Sequence, residues 1–89
     1  MATDGEDQLV DQVVAVARYE ALRDIVNDLA GVLIARQRSA PADQQARWRD
    51  EHRGIRARLT TIEPGTPEVD DALDQWSARL RELRADSVR

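Results

Sequence analysis

The chain contains no cysteine, no lysine and no phenylalanine among its 89 residues. Without cysteine there is neither a disulfide nor a thiolate metal site. With aromatic residues at 3%, any core is aliphatic and built around Trp48 and Trp76, which favours packed helices over a sheet. A long apolar run is also missing. The most apolar stretch, Leu29 to Ala35, falls far short of the roughly 20 residues that span a bilayer. The start of the chain, Met1 to Asp7, is acidic and lacks the basic-then-apolar pattern of a secretion signal, so a cytoplasmic location is expected. There is no glycine-rich phosphate loop, no Ser-His-Asp or Cys-His arrangement and no aromatic platform for single-stranded nucleic acid. Asp70 and Asp74 lie one helical turn apart, but acids in a first turn serve the helix dipole. No metal, no cofactor and no small-molecule substrate is expected.

What the chain does have is charge and helical periodicity. Charged residues make up 34% of it and the net charge is −4, a balance that disfavours nonspecific binding to nucleic acid. All thirteen basic residues are arginine. A GC-rich genome accounts for that bias without invoking function; the functional account is that forked guanidinium contacts to carboxylate or phosphate were retained.

Spacing and breaks predict a single all-α domain over residues 1–89, a three-helix bundle of one long N-terminal helix and an antiparallel helical hairpin. The first helix is expected over about residues 7–38, after a frayed acidic leader at 1–6. Ser39-Ala40-Pro41 reads as stop and restart, with Ser39 as a cap. The second helix is expected over about 40–62. Glu63-Pro64-Gly65-Thr66 breaks it, with Gly65 free to take a positive φ and Thr66 placed to cap a third helix over about 67–86. The second and third helices carry matching four-three seams: Trp48, His52, Ile55, Leu59 and Ile62 against Leu83, Leu80, Trp76, Leu73 and Val69. That register brings Glu51 near Arg79. On the other flank it sets Arg49 near Arg84 and Glu63 near Asp70, which calls for acids of the first helix, such as Glu20, Asp24 or Asp28, or for an acidic partner.

The first helix presents two apolar stripes displaced by roughly 140°. Leu22, Ile25, Val26, Leu29 and Leu33 suit the hairpin core. Leu29 to Ala35 is apolar all round, the pattern of a helix covered on every side, and Gly31 within it reads as a point of close approach by another helix, the competing reading being a local bend. The N-terminal stripe, Leu9, Val10, Val13, Val14, Val16 and Ala17, has no evident partner inside the chain and is the predicted interaction surface.

Two basic features compete with it. Arg49, Arg56 and Arg84 form a candidate stripe for an acidic partner. Arg47 and His52 are separated by Trp48-Arg49-Asp50-Glu51, a spacing that resembles the Arg-and-His motif of HEPN-type ribonucleases. The resemblance covers these two residues and a helical context. It implies metal-independent RNA cleavage, with His52 as acid or base and Arg47 stabilising the phosphate charge. The expected function is a small non-catalytic protein-protein interaction module. It self-associates as a homodimer or regulates a partner protein, in the manner of an antitoxin or immunity protein. The alternatives are the Arg47–His52 ribonuclease and a nucleic-acid-associated regulator using the Arg face of the second helix.

Overall fold

A computed structural model describes residues 3–87, with side-chain surroundings for residues 9–86. Three helices follow one another, α1 (Thr3–Ser39), α2 (Ala42–Leu59) and α3 (Pro67–Ser87), and no strand occurs among the described residues. The protein is an all-α three-helix bundle. α1 begins earlier than expected: residues 3–6 continue the helix, and only Met1 and Ala2 of the expected leader lie outside the described residues. Extending a helix already nucleated by packing costs little, and acids suit its positive end.

α2 is shorter than expected at both ends. Pro41 stands before it in an extended conformation (φ −58°, ψ 158°), and its carbonyl accepts the Gln44 and Gln45 amides at 3.0 and 2.9 Å. Ser39 does not cap α2. It closes α1, its hydroxyl 3.4 Å from the Ala35 and Arg36 carbonyls. At the other end the Thr61 and Ile62 amides bond to the Arg58 and Leu59 carbonyls at 3.0 and 3.2 Å. This three-residue spacing tightens the last turn and ends the helix before Pro64. Gly65 takes a φ of +83°, as the turn requires. The Thr66 side chain turns back to donate to the Glu63 carbonyl at 2.8 Å, while its backbone carbonyl accepts the Val69 amide at 3.1 Å.

α1 is the helix on which both others lie. Its backbone closely approaches α2 and α3, whereas α2 and α3 meet each other through long side chains. Leu22, Val26, Leu29 and Leu33 of α1 are buried against Ile55, Ile62, Val69, Ala72, Trp76, Leu80 and Leu83. No polar or charged residue is buried among the described residues. The expected hairpin register survives in the Arg79–Glu51 pair, whose two bonds are both 2.8 Å. Arg58 stacks over Trp76 at 5.5 Å and Arg79 over Trp48 at 5.7 Å. The seam is nonetheless filled by α1 rather than by α2 and α3 interlocking.

Two expectations about α1 fail. Leu29 to Ala35 is not covered on every side, since Gly31 and Ala35 are exposed and Ile34 is 38% exposed. Two neighbouring helices cover only one side of a third. For the same reason Gly31 marks no close approach within this chain: a Cβ built there meets nothing within 4 Å.

Candidate functional site

The bundle ends before α1 does. The α2–α3 turn lies beside Ala15, whose Cβ is 3.6 Å from a Cβ built on Gly65, and Arg18 pairs with Asp70 of the first α3 turn at 3.1 Å. A helix of 37 residues is about 55 Å long, close to the 62 Å long axis of the molecule. The part of α1 before Ala15 therefore extends past the turn as an arm.

On that arm and the turn after it, Leu9 is 62% exposed, Val10 60%, Val13 67% and Val16 54%, and Ala17 is exposed too. Val14 is less open because it faces Gly65, Thr66 and Pro67 across a small cleft. At about 100° per residue, Leu9, Val13, Val16 and Ala17 point away from the side of α1 that carries Leu22, Val26 and Leu29. With Gln12 and Glu20 they line a shallow apolar groove of about 440 Å³. Of the six residues of the predicted interaction stripe, Leu9, Val13, Val16 and Ala17 line this groove, Val10 is exposed outside it, and Val14 lies on the cleft beside the α2–α3 turn instead.

Two of the three residues of the arginine stripe have partners within the chain. Arg84 reaches Asp28 of α1 at 3.9 Å, and Arg56 donates to His52 Nε2 at 3.4 Å. Arg49 is exposed and makes no ion pair among the described residues. α1 supplies charges to the flank that sequence alone left unbalanced: Asp28 takes Arg84, and Arg18, which was not anticipated there, takes Asp70. A signal existed, because Arg18 is four residues before Leu22 on the core side of α1.

Arg47 and His52 leave α2 about 140° apart. Arg47 lines a cleft with Gln44, Trp48, Glu51 and Arg79, whereas His52 is half-buried and accepts from Arg56. Beside Arg47, the Arg79 guanidinium is held above its ordinary value. Hydrogen bonding to Glu51 is the main cause, partly opposed by burial and helped by the charges of Glu51 and Glu82. A raised basic group adds stability that is fully present below its unfolded pKa, so this contribution is constant across physiological pH.

No grouping of His, Asp and Glu suited to a metal occurs among the described residues, and no described helix is long and apolar enough to cross a membrane. Compared with protein-family models, curated proteins and solved structures, the chain matches none of them.

Proposed function

We propose that this chain is a non-catalytic protein-protein interaction module of the cytoplasm that works through the outer face of the α1 arm. Either a second copy or a partner protein covers Leu9, Val10, Val13, Val16 and Ala17, and an antitoxin-like or immunity-like accessory role is one form this takes. The observation that carries the reading is the alignment of these exposed side chains on one side of a helix that the bundle leaves uncovered. A patch of this kind is commonly an interaction site.

The test is Val13→Glu. Sedimentation velocity is expected to show loss of self-association or of partner binding, with helicity by circular dichroism essentially unchanged. A wild-type chain that stays monomeric and binds no protein would sink the reading.

A second reading, binding to nucleic acid through α2, draws on Arg49 and Arg53, which are exposed and without ion pairs among the described residues. It requires a salt-dependent affinity for RNA or DNA that falls on Arg49→Ala or Arg53→Ala.

A further inference from the structure

The groove on α1 sits at one electrical pole of the molecule. Residues 3–20 carry Asp4, Glu6, Asp7, Asp11 and Glu20 against Arg18 alone; residues 60–74 carry Glu63, Glu68, Asp70, Asp71 and Asp74 with no base, a combined surplus of nine negative charges. The Arg18–Asp70 pair and the approach of Gly65 to Ala15 bring these two segments to the same end. The rest of the chain has a surplus of five positive charges. Resting on the interaction reading above, we infer that the groove receives a basic amphipathic helix of a different protein rather than a second copy of this chain.

Two magnitudes decide between the occupants. The exposed apolar side chains of the stripe amount to an area on the order of 400 Å², about half of what one partner contributes to a standard interface. Apolar burial therefore leaves little surplus after the cost of association. Pairing two arms would bring two poles of nine negative charges together, and at ordinary salt their repulsion weakens association on the order of tenfold or more. A cationic partner reverses the sign of that contribution and is steered to the groove. The local rim agrees: Glu20 lines the groove, Asp24 follows one turn on, and Arg23 is the one base beside them on α1. A helix whose apolar face meets Leu9, Val13, Val16 and Ala17 would place its basic flanks over these carboxylates.

Two synthetic amphipathic helices of about 18 residues, sharing one leucine face and bearing either arginine or glutamate on the polar face, test this on the intact protein. Fluorescence anisotropy is expected to show binding of the arginine peptide, with the glutamate peptide at least about tenfold weaker. The preference should shrink as sodium chloride rises from about 0.05 to about 0.5 M. Val13→Gln with Val16→Gln, which keep the charge and suit a helix, should weaken the arginine peptide about tenfold or more. In sedimentation the protein alone should remain monomeric at both salt concentrations.

Equal binding of the two peptides, or arginine-peptide binding unmoved by the double substitution, overturns the inference. A wild-type dimer or open-ended chain dissolved by that substitution also overturns it, while leaving the interaction reading in place. A protein that neither self-associates nor binds either peptide removes both.

Discussion

At the level of single residues, Gly31, Gly54 and Gly65 separate into those whose backbone is needed and those whose absence of a side chain is merely tolerated. Gly65 holds a φ of +83° beside Ala15, whereas Cβ atoms at Gly31 and Gly54 would meet nothing within 4 Å. Both Gly31 and Gly54 are exposed and lie inside helices. Gly31→Ala and Gly54→Ala should each stabilise the fold by about 0.5–1 kcal/mol, through unfolded-state entropy and helix propensity. Gly65→Ala should destabilise it by roughly 1–2 kcal/mol. Thermal unfolding of the three variants checks this, with shifts of several degrees upward for the first two and downward for the third. The need at Gly65 was legible from Pro64-Gly65-Thr66-Pro67. At Gly31 the apolar flanks Leu29, Ala30, Val32 and Leu33 suggested crowding, but a flanking pattern does not report how many helices exist to do the crowding.

At the level of elements, α1 is two helices in energetic terms. From Leu22 to Leu33 its apolar side is buried, while before Ala15 it has only the α2–α3 turn at its side. Leu29 is 1% exposed and Val13 is 67% exposed, so Leu29→Ala should cost about 2–5 kcal/mol in urea unfolding. Val13→Ala should stay within about 0.5 kcal/mol of wild type, because Ala is the better helix former and no packing is lost. Hydrogen exchange should show the same division, with amides of residues 9–14 far less protected than those of residues 22–33. This division was visible in the displacement between the two apolar stripes. That α1 would hold α2 and α3 apart rather than lie on a closed hairpin was not, since Trp48, Ile55, Leu73 and Trp76 fit a direct α2–α3 pairing equally well. The competition is decided by which faces the large side chains of α1 occupy in three dimensions. With Arg79, Glu51 and Arg58 spanning the α2–α3 gap, long polar side chains hold those two helices at the distance α1 imposes.

At the level of the whole molecule, length and charge are linked. A compact chain of this size has a radius of gyration of about 12 Å, but the Cα radius here is 16.6 Å and the long axis 62 Å. The excess comes from α1 continuing past the turn, which also carries the exposed stripe away from the basic residues of α2 and α3. Neither consequence was readable from helix lengths alone, because a long first helix could instead have bent, as at Gly31. A straight helix is favoured because the carboxylates along the arm repel one another. Small-angle scattering of the dilute protein should accordingly give a radius near 17 Å. That value should persist at high salt, because the continuous backbone ladder of α1 rather than charge repulsion alone holds the arm out. A radius near 12 Å would mean that the arm packs on its own bundle, covers the valines and leaves no surface for a partner.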